Sequence, residues 1–430
     1  MKVCVFGLWH LGSVTAACLA SRGLEVIGLD DDASVVSNLQ GGQPPLFEPG
    51  LAELVQQGIA AGRLSFTNDP ARALAQADVL WITYDTPVDE DDVADEAFVV
   101  ERIARLFSQL RDGAVLLISS QLRAGTTREL RERWQREQPG RSLGFAYSPE
   151  NLRLGKALSV FLDPDRIVVG VDDARTRERL RAMFGDLAAR VEWMGIEAAE
   201  VTKHALNAFL ALSIAFANEV AGICERVGAD AKEVERGLKS ERRIGPGAYL
   251  GPGPAFAGGT LARDVQYLRA LAVEHDQPSA LLHAIKESND QHRHWVQRRL
   301  RRRWPELRGR GIAVLGLTYK PGTDTLRRSA AVELCRWLVE QGAEVSAHDP
   351  KVQRSAASET LPQVRLCDSA AEAIARAEGV VIATPWPDYA RLGPADLAPR
   401  VVFDPHGVLA KTLRDSTIEY CAVGRPEGRK

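Results

Sequence analysis

Lys2-Val3-Cys4-Val5-Phe6-Gly7-Leu8-Trp9-His10-Leu11-Gly12 opens the chain, and its reading decides the fold. An apolar strand run, residues 2–6, ends in a glycine. Ser13 to Arg22 reads as a helix, and Glu25 to Asp30 as the next strand. Strand, glycine turn, helix and strand together form the unit that seats a dinucleotide in a parallel α/β sheet. Such a turn needs one glycine to bend tightly, a second to let backbone approach a pyrophosphate, and a third to pack helix on strand. Gly7 and Gly12 hold the first and third places, and Trp9 holds the middle one. An indole there obstructs the phosphates unless the loop swings it outward. The backbone of Leu8, Trp9, His10 and Leu11 then still faces an anion at the helix N-terminus. Asp30 closes the second strand, where a carboxylate meets ribose hydroxyls. Its charge repels a 2′-phosphate, so the expected cofactor is NAD.

Moving outward, Asp78 to Thr83, Ala114 to Ser119 and Arg166 to Gly170 continue the strand series. Short buried strands separated by helices indicate a parallel sheet covered on both faces. Ala198 to Val227 has no proline and one glycine, and reads as one long helix suited to a spine or dimer contact. The segment GPGAYLGPGPAFAGG, residues 245–259, reads as an irregular loop. Helices resume from Leu261 to about Arg303, ending in RLRRR at 299–303, which reads as a solvated face or linker. Gly311 to Leu317, Ala343 to Asp349, Gly379 to Thr384 and Val401 to Asp404 form a second strand series. The expected architecture is α/β: two Rossmann-like doubly wound parallel-sheet domains joined by a central helical domain. The boundaries are placed at 1–193, 194–304 and 305–430.

Composition narrows the function classes. The 430 residues are 45% hydrophobic and 26% charged, with a net charge of -3. Nothing there favours nucleic acid or an acidic membrane as partner. No apolar run is read as long enough to span a bilayer, and the N-terminus enters a strand at once, so a cytoplasmic location is expected. Six scattered cysteines lack disulfide or metal-site spacing and read as buried reduced thiols; no metal is expected.

Beyond these patterns, the chain resembles the UDP-glucose/GDP-mannose dehydrogenase family. The resemblance is carried by Phe47-Glu48-Pro49-Gly50-Leu51, Thr86-Pro87-Val88-Asp89, Gly125-Thr126-Thr127 and Ser148-Pro149-Glu150-Asn151-Leu152-Arg153. It continues through Asp163-Pro164-Asp165-Arg166-Ile167, Ala199-Glu200-Val201-Thr202-Lys203-His204-Ala205-Leu206-Asn207-Ala208 and Asn218-Glu219. Arg243-Ile244-Gly245, Gly258-Gly259-Thr260-Leu261-Ala262-Arg263-Asp264 and Tyr319-Lys320-Pro321-Gly322-Thr323-Asp324 complete it. The resemblance implies oxidation of a nucleotide-sugar C6 alcohol to a carboxylate with two NAD, through an aldehyde. It implies an N-terminal NAD domain, a helical dimer domain and a C-terminal nucleotide-binding domain, hence a homodimer with a UDP-sugar as the expected substrate. By the same resemblance, Lys203, Asn207 and Asp264 surround C6, and Glu150 to Arg153 line the sugar. Tyr249, Leu250, Gly258 and Lys320 hold the nucleotide sugar, and Arg243 reaches a neighbouring subunit's site. Thr86, Gln121 and Arg327 lie toward the cofactor.

One half-reaction lacks its residues. The family's Gly-Gly-Ser-Cys-Phe-Pro-Lys-Asp motif puts its nucleophilic cysteine on Thr260 here. A thiolate is common near neutral pH, whereas an alkoxide is not, and no strong base beside Thr260 is apparent. The family's Ser-Thr-Val-Pro stretch reads Ser120-Gln121-Leu122-Arg123, a second glutamate after Glu150 is Leu154, and the C-terminal motif reads Asp404-Pro405-His406-Gly407. The leading expectation is an NAD-dependent dehydrogenase that stops at, or works through, the C6 aldehyde. The alternatives are full four-electron oxidation without a thioester, and an inactive nucleotide-sugar-binding paralogue or partner subunit.

Overall fold

Along strand β1 (Lys2–Phe6), Val3 and Val5 enter one apolar cluster and Cys4 and Phe6 enter another. Side chains alternate across a strand, so a run apolar on both faces must be covered on both. The same split recurs on β4 (Val79–Ile82), as Val79/Trp81 against Leu80/Ile82, and on β5 (Ala114–Ile118), as Val115/Leu117 against Leu116/Ile118. The computed structural model describes residues 1–87, 89, 94–150 and 152–426. It divides into two compact units, Met1–Ala205 and Leu206–Lys430.

The first unit adds β2 (Glu25–Leu29), β3 (Leu64–Thr67), β6 (Leu143–Tyr147), β7 (Ile167–Val171) and β8 (Val191–Met194). Its eight strands lie in the order β3-β2-β1-β4-β5-β6-β7-β8. All neighbours are parallel except β6 and β7. The expected parallel sheet therefore carries one antiparallel pairing, at Ala146–Val171 and Tyr147–Gly170. Strands β3, β6 and β8 escaped the sequence reading because each has only four or five residues and a polar or glycine interruption.

The second unit contains β9 (Gly311–Leu315), β10 (Glu344–His348), β11 (Arg365–Leu366), β12 (Gly379–Ile382), β13 (Val401–Asp404) and β14 (Tyr420–Ala422). They form a parallel sheet in the order β11-β10-β9-β12-β13-β14. The inner strands again split between two clusters, Ile312/Val314 on one face and Ala313/Leu315 on the other.

The spine helix, Ile196–Val227, runs 32 residues without interruption. It is long and apolar enough to cross a membrane, which corrects the reading that no run reaches that length. Alanine-rich segments hide this length when only strongly apolar residues are counted. Glu200, Lys203, His204, Asn207, Asn218 and Glu225 are all buried along it. Each has a protein hydrogen-bond partner, the arrangement of a helix packed on protein. Arg299, read as part of a solvated run, is instead buried, 3.5 Å from Glu225. Glu225 also accepts from Trp295 Nε1 at 2.8 Å and from the Gly424 amide at 2.9 Å.

The turn after β1 depends on two glycines. Gly7 sits at φ 97°, which side chains rarely adopt, and a Cβ there would press on the Tyr84 ring and amide. A Cβ on Gly12 would lie 1.8 Å from the Gly7 carbonyl oxygen. Gly12→Ala is therefore expected to lower stability by about 1–3 kcal/mol and to weaken NAD binding. Chemical denaturation and NADH titration of the same variant check both outcomes.

Candidate active site

The helix after the glycine turn, His10–Ser21, has no side-chain cap and no acidic residue in its first turn. Other helices here begin on aspartates that accept their first amides, as Asp32, Asp69, Asp173 and Asp230 do. The uncapped helix leaves its N-terminal amides and positive end of the dipole to an anion. Trp9 stands at the start of this helix with 48% of its surface exposed. The indole thus lies outward, the arrangement in which the turn keeps its amides available. Leu8 donates its amide to Asp30 Oδ2 at 2.6 Å, and Asp32 donates to Asp30 Oδ1 at 3.0 Å. Burial is the largest influence on Asp30 and pushes its carboxyl up, against the opposing pull of those two amides. A cradle closed to Cβ atoms, a free helix end and a carboxylate at the second strand's tip fit NAD.

A loop at the strand ends is held by a buried carboxylate. Glu200, fully buried on the spine helix, accepts the amides of Gly125 at 2.6 Å and Thr127 at 3.0 Å, and the Thr127 hydroxyl at 2.6 Å. Burial raises the Glu200 carboxyl despite these three donors. The His204 ring donates to the Leu122 carbonyl at 3.1 Å. These contacts fix residues 122–127, next to Gln121, whose carbonyl accepts the Thr86 hydroxyl at 2.7 Å. The expected cofactor-side residues Thr86 and Gln121 are therefore in direct contact.

Lys203 is buried and donates from Nζ to the Glu150 carbonyl at 2.7 Å, with Glu150 Oε1 at 3.7 Å. Glu150 Oε2 accepts the Leu152 amide at 2.9 Å, so the carboxylate organises its own loop. Arg153 is exposed, and Asn151, an expected sugar residue, lies outside the described residues. Lys203, expected at C6, and Glu150, expected beside the sugar, thus touch within the first unit.

In the second unit, Asp264 is fully buried and accepts a hydrogen bond from Asn207 Nδ2. Asn207 sits four residues after Lys203 on the spine helix, a spacing that puts both on one helix face. Thr260 is exposed and begins the helix Thr260–Glu274. The Gly258 carbonyl accepts the Tyr319 hydroxyl at 3.1 Å. Lys320, Tyr249, Arg243 and Arg327 are exposed, with Arg243 Nε 3.0 Å from Glu241. Leu250 is half-buried.

The irregular segment 245–259 is fixed by side chains that the sequence reading assigned no such task. Asn218 Oδ1 accepts the Gly253 amide at 3.0 Å. Asn289 pairs with both the amide and the carbonyl of Phe256, each at 2.9 Å. The His292 ring donates to the Gly253 carbonyl at 2.8 Å, and burial keeps this ring neutral by lowering its proton affinity. Buried amide side chains here replace the ladder that a glycine- and proline-rich chain lacks.

All six cysteines are free. Five are buried, and Cys421 on β14 is half-buried. Burial pushes Cys18 and Cys335 up to about 12. Cys224 packs against Ala221, Ala231, Trp295 and Val423, and burial raises it too.

The glycine turn, the uncapped helix and Asp30 define a dinucleotide-binding protein. Family models match the chain in three consecutive parts of the UDP-glucose/GDP-mannose dehydrogenase family: the NAD-binding domain at 1–188, the central domain at 197–291 and the UDP-binding domain at 313–411. The chain belongs to this family, whose members are NAD-dependent. It is 34% identical over 440 residues to a UDP-glucose 6-dehydrogenase of Rhizobium meliloti (strain 1021), covering 99% of this chain and 100% of that protein. It is 32% identical to a UDP-glucose 6-dehydrogenase of Pseudomonas aeruginosa, covering 99% of this chain and 98% of that one. Among solved structures, a UDP-glucose dehydrogenase from Pyrobaculum islandicum superposes with a TM-score of 0.84 at 34% identity, covering 99% of this chain and 98% of that one.

Asp30 gives a pH test. A carboxyl raised on folding favours the folded state while protonated, fully so below its unfolded value of about 3.9. That contribution is lost as pH rises through the folded value. Asp30→Asn removes the titration. Relative to the parent, the variant's Tm is expected to gain as pH rises above about 4 in calorimetric scans.

Proposed function

We propose that this chain oxidises the C6 alcohol of a nucleotide sugar to the aldehyde and goes no further. The observation that carries the reading is Thr260 in the place of the family's thiol, beside an intact Asn207–Asp264 pair. NAD, when bound, supplies the hydride acceptor. The C6–H leaves with its electron pair, and the hydroxyl proton passes to a water oriented by Asp264. Lys203, desolvated and already donating to a carbonyl oxygen, is suited to stabilise oxygen charge at C6. Glu150 to Arg153 and the segment around Tyr249, Leu250, Gly258 and Lys320 bind the substrate, a UDP-sugar, in this reading.

The second oxidation needs a nucleophile that adds to the aldehyde, and none of the cysteines lies within 258–264. A threonine hydroxyl at neutral pH does not substitute for it. Incubation with UDP-glucose is expected to yield one NADH per sugar and an aldehyde captured by hydrazine. Thr260→Cys is expected to raise the yield to two NADH and a uronic acid. Two NADH from the unmodified chain would refute the shortened reaction and favour hydrate oxidation without a thioester.

The same reading makes the chain a homodimer through its spine helix. Phe209, Phe216 and Ile223 are exposed at seven-residue spacing, a stripe along one side. Exposed apolar side chains in such a row mark a surface covered by another protein. Phe216→Glu is expected to halve the mass measured by light scattering at micromolar concentration; an unchanged mass would exclude this interface.

A further inference from the structure

Glu48, in the Phe47-Glu48-Pro49-Gly50-Leu51 motif, has no part in the chemistry above, yet only 4% of its surface is exposed. Its partners come from two directions. Oε2 faces His10 Nε2 at 3.1 Å, on the first residue of the helix that begins at the dinucleotide turn. The same oxygen accepts the Gly155 amide at 2.9 Å, and Oε1 accepts the Ala157 amide at 2.7 Å. Burial by itself would raise this carboxyl. The two amides and the His10 ring outweigh it and hold the group below the usual carboxylate range, so it stays charged. A buried carboxylate with three donors is a strong, directional tie.

In the segment 149–157, the described residues on either side of Asn151 are therefore each fastened. Lys203 holds one side at Glu150, and Glu48 holds the other at Gly155 and Ala157. Leu11 and Thr15 of the first helix and Pro149, Glu150 and Leu152 of this segment line one cavity of about 90 Å³. Glu48 bridges the first helix, at His10, and the segment, at Gly155 and Ala157.

We propose that Glu48 is a positioning residue that couples occupancy of the dinucleotide turn to the placement of the sugar-facing loop, through His10 on one side and the Gly155 and Ala157 amides on the other. The sugar-facing role of that loop rests on the function proposed above; the tie itself does not. Anions at the turn move the helix start and with it His10, and Glu48 carries that bias to the loop. Linkage requires the reverse effect to be equal, so sugar binding strengthens cofactor binding by the same factor.

Two measurements on the full chain test this. Hydrogen exchange with NADH alone needs no sugar. NADH is expected to slow exchange across 153–158 about fivefold or more in the parent, on the usual scale of coupling. In His10→Phe, which leaves Glu48 its two amides, the slowing is expected to be lost at an NADH concentration that saturates the variant by its own measured dissociation constant. The second measurement compares the NADH dissociation constant with and without saturating UDP-glucose, a pair that cannot react. The ratio is expected to lie between about 5 and about 150 in the parent, near one in His10→Phe and Glu48→Ala, and intermediate in Glu48→Gln. A purely structural role for Glu48 would lower thermal stability and both affinities while leaving the ratio intact, and that result overturns the proposal. NADH binding with no change in exchange at 153–158 overturns it as well. Failure of UDP-glucose to bind while NADH slows that exchange would count against the substrate reading and leave the coupling standing.

Discussion

A carboxylate at the tip of a second strand grips the amide that follows a glycine, and it does so twice. In the first unit Asp30 takes the Leu8 amide at 2.6 Å, just after Gly7. In the second, Asp349 takes the Leu317 amide at 2.7 Å, just after Gly316. Both glycines have positive φ, and both donate their own amides to the neighbouring strand, Gly7 to Leu29 and Gly316 to His348. A threonine at the end of the fourth strand in each half, Thr83 or Thr384, ties its hydroxyl to a carbonyl of the turn. A Cβ at either glycine would collide with the backbone amide of the adjacent strand's end. The bend, the strand spacing and the direction of the exiting chain all depend on this one constraint.

Beyond the bend the two halves differ, and the difference divides the labour. After Gly7 a helix starts within three residues, with its amides uncapped. After Gly316 the chain runs as a loop until the helix Ala330–Glu340. Asp349 is saturated: besides Leu317, it takes the Thr318 amide and hydroxyl, the Trp386 indole and the amides of Lys351 and Val352. Asp30 takes two amides only, Leu8 and Asp32, among the described residues. One turn is built to receive a dinucleotide at a helix end. The other uses the same frame to hold a loop that carries Tyr319 and Lys320.

Much of this was legible in residue order. The glycine turn, Asp30, the spine helix and the central strands of each sheet rest on local patterns, which contiguous residues carry. Lys203, Asn207, Asp264 and Glu150 were expected near the sugar from family motifs alone, but the contacts of Asn207 with Asp264 and of Lys203 with Glu150 were not. Long-range satisfaction of buried polar groups escaped. Glu48 meets Gly155 and Ala157 across more than a hundred residues, Glu200 meets Gly125 and Thr127, and Asn289 meets Phe256. No spacing rule predicts such partners, because burial creates the need and only the folded chain supplies the answer. The motifs containing Glu48 and Glu200 were visible, but their positioning duties were not. The position of Trp9 likewise depended on a side chain's direction, which composition does not encode.

The distribution of sulfur has a consequence outside the reaction. Three of the six thiols, Cys4, Cys18 and Cys335, lie in sheet-covering cores and stay protonated at physiological pH. Peroxide and soft electrophiles attack thiolates that they can reach. These three buried thiols present such agents with poor targets, and in the function proposed above position 260 adds a hydroxyl rather than a thiol to the reaction site.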